Sequence, residues 1–273
     1  MNAREVAAAA TARLKAAGLA DAQFEAEVLA REAAGISRAA YFAGAVLDGP
    51  ARERLSAWVA RREQREPLAY ITGYREFYGR RFAVGPGALI PRPETELLVE
   101  VTLREIRQGG TRAVLEVGTG TGAVAVSIAA EEPNARVIAT EVSREALRYA
   151  RLNAAAHAPQ VQLVLGDLAA GVRRADVVVA NLPYIPSGEI DALEPEVSRW
   201  EPRVALDGGD DGLSLIRALI ADCARRLRPR LLALEVGFGQ AAAVAALGEA
   251  EGATASVMND LAGIERVVCL RWG

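Results

Sequence analysis

The run Asn181-Leu182-Pro183-Tyr184 carries the densest chemistry in this chain, because it follows directly on an apolar stretch, 175–180, that reads as a buried strand. An Asn side-chain oxygen and a neighbouring backbone carbonyl are both acceptors, and a planar amino group offers two N–H donors that such a pair can hold together. Upstream, Val117-Gly118-Thr119-Gly120-Thr121-Gly122 follows another apolar run, and glycines let a backbone approach a ligand closely. Together the two features describe a nucleotide-type cofactor beside a pocket for a flat, NH2-bearing group. The chemistry they suggest is methyl transfer to an amino or amide nitrogen.

The glycine turn alone is ambiguous. Gly118-x-Gly120-x-x-Ala123 satisfies the dinucleotide fingerprint, and Glu141, at the end of the next expected strand, sits where an acid accepts from ribose hydroxyls. These features suit a nicotinamide dinucleotide and S-adenosylmethionine almost equally. Asp167, in Leu165-Gly166-Asp167-Leu168, follows the third expected strand and is placed to meet an adenine amino group. Asn181 falls at the same sheet edge as Gly118, Glu141 and Asp167, and that convergence favours the methyl donor.

These residues need a sheet to hold them. Expected strands at 113–117, 136–141, 161–165, 176–180 and 230–236 alternate with helices after Gly122, after Ser143 and over 213–227. Repeated βα units with runs apolar on both faces imply a parallel sheet covered on both sides. Two short tail strands, 253–258 and 264–270, predict a closing antiparallel hairpin. Ahead of the sheet, Pro91-Arg92-Pro93 stiffens the start of a helix running to Arg107, with Glu94 and Glu96 near its positive dipole end.

The first part of the chain reads differently. Helices are expected over 3–17, from an Asp21 cap to Gly35, over 38–43, and from Pro50 to Arg65. In the second, Phe24, Val28, Leu29 and Ala33 follow helical spacing. Aromatics between Tyr70 and Val84, broken by Gly73 and Gly79, predict a β-hairpin. The expected domains are therefore a helical substrate-recognition domain at 1–69, a hairpin linker at 70–87 and a catalytic domain at 88–273.

Composition narrows the chemistry. The chain has 273 residues, 51% of them hydrophobic, with net charge -3, pI near 5.5 and mean hydropathy +0.12. It can bury a sizeable core, and it lacks the clustered positive charge of a protein held mainly by phosphates. No run of about 18 apolar residues suggests a membrane span. Cys223 and Cys269 stand far apart without a CxxC, so neither a disulfide framework nor a metal site is expected, and a reducing, cytoplasmic setting fits. His157 is the sole histidine and falls in an expected surface segment, 153–159, which argues against His-based catalysis.

Most of the chain resembles the protein-(glutamine-N5) methyltransferases that modify class 1 peptide chain release factors. The matching segments are Pro67-Leu68-Ala69-Tyr70-Ile71-Thr72-Gly73, Glu76-Phe77-Tyr78-Gly79, Leu89-Ile90-Pro91-Arg92-Pro93-Glu94-Thr95-Glu96 and the glycine turn. Glu201-Pro202-Arg203-Val204-Ala205-Leu206-Asp207-Gly208-Gly209 and Asp260-Leu261-Ala262-Gly263-Ile264-Glu265-Arg266 continue the match. The Pro-Arg-Pro-Glu-Thr-Glu string is its specific part. The resemblance implies an α/β, Rossmann-like S-adenosylmethionine-dependent methyltransferase domain. That domain has a mostly parallel seven-stranded sheet with a C-terminal antiparallel hairpin, preceded by the helical bundle and hairpin.

It further implies that Gly118, Thr119, Gly120, Thr121 and Gly122 hold the methionine part of the cofactor and Glu141 its ribose. Asp167 and Leu168 would border the adenine, beside Asn181. Asn181, Leu182, Pro183 and Tyr184 would grip a glutamine in a Gly-Gly-Gln loop, with Arg92 and Glu94 as further substrate contacts. The expected enzyme is a monomer that binds neither nucleic acid nor membrane and releases S-adenosylhomocysteine. Two positions depart from the family pattern: Leu182 replaces the first proline of Asn-Pro-Pro-Tyr, and Leu168 stands where an aromatic is common. Other readings are a glutamine methyltransferase of a ribosomal protein, an adenine N6 methyltransferase of DNA or RNA, and a nicotinamide oxidoreductase.

Overall fold

The computed structural model describes residues 1–109 and 113–273. By internal contact the chain divides into two units, 1–73 with 195–200, and 74–194 with 201–273. The first break falls close to the expected end of the helical domain at 69, the hairpin groups with the second unit, and a short downstream segment groups with the N-terminal helices.

The first unit is built on α1 (Ala3–Ala16), α2 (Ala22–Ala34), α3 (Arg38–Phe42), α4 (Gly49–Glu63) and α5 (Leu68–Thr72). Asn2 opens α1 with a reciprocal capping box to Glu5, and Asp48 caps α4 ahead of Pro50. Ala22, Ala26, Leu29, Ala30 and Ala33 form the buried face of α2. Phe24 was expected on that face but is 61% exposed, because helical spacing puts it nearly half a turn from Ala26 and a third of a turn from Ala30. Asp21 precedes α2 without a side-chain capping bond. Arg62, buried on α4, donates to Glu25 on α2 at 2.6 Å and to Glu196 at 2.7 Å. Glu196 lies on α9 (Pro195–Ser198), so these charges tie the downstream segment to the helices of its own unit.

The second unit begins with β1 (Tyr74–Phe77) and β2 (Arg80–Ala83), an antiparallel pair joined through Tyr78 and Gly79. Both turn residues have positive φ, 46° and 71°, the geometry a two-residue hairpin turn demands. The hairpin is shorter than expected, since Tyr70 lies in α5. Its aromatics serve packing: Phe77 and Phe82 meet edge to face at 5.9 Å in the core.

A seven-stranded sheet follows, in the order β5-β4-β3-β6-β7-β9-β8. Its strands are β3 (Ala113–Val117), β4 (Arg136–Glu141), β5 (Gln162–Leu165), β6 (Val177–Ala180), β7 (Leu231–Glu235), β8 (Thr254–Asn259) and β9 (Glu265–Arg271). Strands β3 to β7 pair in parallel, and β9 returns antiparallel between β7 and β8. This is the mostly parallel sheet with a terminal hairpin that the sequence predicted. Side chains alternate between two cores: Val114, Val137, Val177 and Leu231 face one side, and Leu115, Val178 and Leu232 the other. Helices α6 (Glu96–Arg107) and α7 (Ala123–Glu131) contribute to the first core, α10 (Ser214–Asp222) and α11 (Ala241–Ala250) to the second. Among the described residues no helix is long and apolar enough to cross a membrane.

Helix α8 (Arg144–His157) takes in part of the expected surface segment at 153–159: residues 153–157 are its last turn, with Ala155 and Ala156 exposed but Asn153 only 2% exposed. It sits on the same face as the buried Ala146 and Ala150, where helical periodicity carries it inward.

Candidate active site

From β3 the chain builds outward through β4 and β5, then returns to place β6 on the other side of β3. Loops leaving the carboxyl ends of β3 and β6 therefore diverge and leave a crevice, where doubly wound sheets bind ligands. A cavity of 330 Å3 lies there, walled by residues that follow β3, β4, β5 and β6.

The glycine turn forms its floor. The N–H groups of Gly118 and Thr119 both donate to the Thr140 carbonyl, at 3.0 and 2.9 Å, which pins the turn to the end of β4. Gly118 and Gly120 hold φ of 70° and 58°, conformations that side chains rarely adopt. A Cβ added at Gly118 would sit 3.2 Å from Leu182 Cδ2, so the glycine turn and the Asn181–Tyr184 turn are in direct contact. Gly122 has a different task. It is off the cavity wall, and a Cβ there would lie 3.3 Å from the Ala150 backbone, so its absence lets α7 pack on α8.

Glu141 closes the next side. Its Oε2 accepts the Gly120 N–H at 2.7 Å and its Oε1 the Ser143 N–H at 2.8 Å, which fixes the carboxylate against the wall. Each oxygen keeps a further lone pair for a hydroxyl. Asp167 and Leu168 border the same cavity after β5, with Leu168 at a positive φ of 45°.

Asn181, Leu182 and Pro183 line the opposite side. Asn181 Nδ2 donates to Thr95 Oγ1 at 3.1 Å, which leaves Oδ1 as the group this side chain offers to the cavity. Leu182 is 3% exposed and packs in the second core, so its side chain fills space behind the turn. The turn is braced from behind: Gln240 donates through Nε2 to the Tyr184 carbonyl at 2.8 Å and accepts from Gly237 at 2.9 Å.

Tyr184 and Glu94 are not brought to the wall. The Tyr184 ring packs against the second core, and burial pushes its hydroxyl up to about 12. Glu94 is exposed. Arg92 does line the cavity, held by Glu201 at 2.6 Å. Burial raises the Glu201 carboxyl above its usual range, against the opposing pull of Arg92.

Three residues that sequence reasoning passed over matter here. Glu116 lies on the cavity wall, buried on β3, and burial pushes it up to about 8. Thr119 and Ala125 donate to its Oε2, the latter at 2.9 Å. An acid inside an otherwise apolar strand was the signal. Asn153 accepts from Ala83 N–H at 2.7 Å and donates to the carbonyls of Ala83 and Thr121, at 3.0 and 2.8 Å. It ties the hairpin to the glycine turn, and an Asn on a buried helix face was its signal. Thr95, beside Asn181, carried no such mark.

Comparison with known proteins agrees with this architecture. Residues 5–73 match the family described as the PrmC N-terminal domain, and residues 93–193 match the methyltransferase small domain. A release factor glutamine methyltransferase of Cereibacter sphaeroides is 44% identical, with 99% of each chain covered. One of Deinococcus radiodurans is 40% identical with 99% of each covered, and one of Geobacter sulfurreducens 41% with 94% of this chain and 92% of the relative. Among solved structures, a methyltransferase from Pyrococcus furiosus superposes with a TM-score of 0.55 at 21% identity, covering 72% of this chain and 90% of that one. The hMettl16 catalytic domain gives 0.58 at 15% identity, covering 85% and 86%, which speaks to the fold alone. With relatives this similar over nearly its whole length, the chain belongs to the release factor glutamine methyltransferase family.

Proposed function

We propose that this protein transfers a methyl group from S-adenosylmethionine to the side-chain amide nitrogen of the glutamine in a Gly-Gly-Gln loop of a class 1 peptide chain release factor. The observation that carries this reading is the contact between Gly118 and Leu182, which makes the glycine turn and the acceptor pair two walls of one cavity. The residues fit such a cofactor: the bare backbone at Gly118 and Gly120, and a Glu141 carboxylate already oriented by two N–H groups.

In this reading Gly118 to Thr121 hold the methionine part, with Gly122 supporting the turn from behind. Glu141 accepts the ribose hydroxyls, and Asp167 and Leu168 border the adenine. When bound, the cofactor supplies a methyl group activated on a sulfonium. The protein's own task is alignment, because an amide nitrogen has its lone pair delocalised into the carbonyl. Asn181 Oδ1 and the Leu182 carbonyl accept the two amide hydrogens and turn the nitrogen lone pair towards the methyl. The same dipoles stabilise positive charge that develops on nitrogen before its proton leaves. Pro183 stiffens this turn and Tyr184 anchors it to the core. Arg92, positioned by Glu201, faces the approaching substrate from the cavity wall, and Glu94, exposed and off that wall, meets it outside the cavity. We further propose that the enzyme works in the cytoplasm, as a monomer, without binding nucleic acid.

The test is incubation with labelled methyl donor and, separately, a release factor, a ribosomal protein and DNA. Labelling of the release factor is expected, lost when its loop glutamine is replaced. Labelling confined to either other substrate would overturn the assignment.

A further inference from the structure

We propose that two neighbouring turns at the carboxyl edge of the sheet, one carrying Phe238 and the other Leu261, form a docking surface for the body of the release factor. There the factor rests while its glutamine enters the cavity. The inference rests on the substrate proposed above and adds a recognition site outside the cavity.

The first turn, 236–240, leaves β7. Gln240 closes it on itself: its Oε1 accepts the Gly237 N–H at 2.9 Å, and its own N–H donates to the Gly237 carbonyl at 3.2 Å. Gly239 holds a φ of 79°, and Phe238 beside it is 84% exposed. The second turn joins β8 to β9, and Asp260 organises it. Its Oδ1 accepts the N–H groups of Ala262 and Ile264, at 2.9 and 3.0 Å, and its Oδ2 accepts from Arg266 Nε at 3.0 Å. The Asp260 N–H donates to the Ile264 carbonyl at 2.8 Å, and Leu261 at the tip is fully exposed. Strand pairing sets the two turns side by side. Glu235, the last residue of β7, is in register with Val267 on β9, and the Val236 N–H donates to the Arg266 carbonyl at 2.9 Å.

Single exposed apolar side chains are ordinary on a protein surface. These two differ, because each stands on a turn fixed by its own hydrogen bonds and the turns are adjacent. Folding gains nothing from holding a phenyl ring and a leucine side chain in water on such supports. A partner does gain, since an anchor that is already ordered loses little conformational freedom on binding. Well-seated apolar and aromatic anchors carry much of the energy of protein interfaces.

The place of the turns identifies the partner. The first is built onto the acceptor turn: Gln240 Nε2 donates to the Tyr184 carbonyl at 2.8 Å, and a Cβ on Gly237 would lie 3.1 Å from Tyr184 Cδ2. Phe238 is therefore fixed relative to Asn181–Tyr184. A protein that presents a glutamine to Asn181 must lie over this edge of the sheet, and one resting on the ring is held at a set distance from the residues that grip its amide.

The test uses the full-length enzyme and an intact release factor. Equilibrium binding of labelled factor, and kcat and KM at saturating methyl donor, are compared for wild type, Phe238→Ser and Leu261→Ser. Each substitution should weaken factor binding and raise KM about 10-fold, the scale of one lost interface anchor, with kcat, donor affinity by calorimetry and thermal unfolding unchanged. Phe238→Tyr and Leu261→Met should stay within a few-fold of wild type. Leu152→Ser, which removes a leucine 56% exposed on α8, should have no effect, and an equal loss there would overturn the inference. Unchanged factor binding in either Phe238→Ser or Leu261→Ser would also overturn it. So would a fall in kcat alone, which would make the turns a brace for Tyr184 and nothing more. Sedimentation tests the other occupant: a wild-type dimer that either substitution dissociates would assign the surface to a second copy of this chain and overturn the inference. A wild type that binds the factor through these residues without methylating it would refute the function proposed above and leave the docking surface standing. Methylation of the factor with binding unchanged in the variants would do the reverse.

Discussion

Glu116→Gln offers a quantitative probe of the cavity floor. Glu116 sits buried on β3, and burial, reinforced by the charge of Glu141, raises its carboxyl from 4.5 to about 8 in spite of hydrogen bonds from Thr119 and Ala125. The folded protein therefore keeps a proton that the unfolded chain releases across this interval. Stability from this group is fully present below pH 4.5 and is lost progressively as pH rises to about 8. Each pH unit inside the window costs about 1.4 kcal/mol, so the full window amounts to about 4–5 kcal/mol. That is a large share of a total stability of roughly 5–15 kcal/mol. Glutamine can still accept from Thr119 and Ala125 but does not titrate. Urea unfolding at several pH values between about 5 and 8 should give a wild-type stability that declines by about 1 kcal/mol per unit more than that of Glu116→Gln. Parallel pH profiles for the two proteins would show that Glu116 is ionised in the fold, and the reasoning would fail.

Other consequences are equally direct. Asn181→Ala should reduce turnover by about 100- to 1000-fold, the scale of a lost charge-stabilising dipole, while calorimetry finds donor affinity within a few-fold; full activity would remove Asn181 from the mechanism. Gly118→Ala combines a φ of 70° with a Cβ 3.2 Å from Leu182. It should destabilise by about 1–2 kcal/mol and weaken donor binding, and an unchanged melting point with unchanged binding would argue against a strained turn. Asn153→Ala strands the Ala83 and Thr121 backbone groups it now satisfies. A loss of about 2–4 kcal/mol in urea unfolding is expected, and a loss under about 0.5 would contradict the tie between hairpin and glycine turn.

The sequence alone carried the architecture of the second unit, because buried parallel strands and their turns are written locally. Runs such as Val177 to Ala180 are apolar throughout, and glycines mark where φ turns positive. The same locality made Gly118, Glu141, Asp167 and Asn181 legible as neighbours, since one sheet edge collects every loop that leaves a parallel strand. Tertiary packing decided the rest. Phe24 reads as core by spacing alone, yet the face of α2 that meets its neighbours is the alanine stripe. Residues 195–200 join the N-terminal helices because Arg62 and Arg65 hold Glu196, a partnership across more than a hundred residues that no local pattern records.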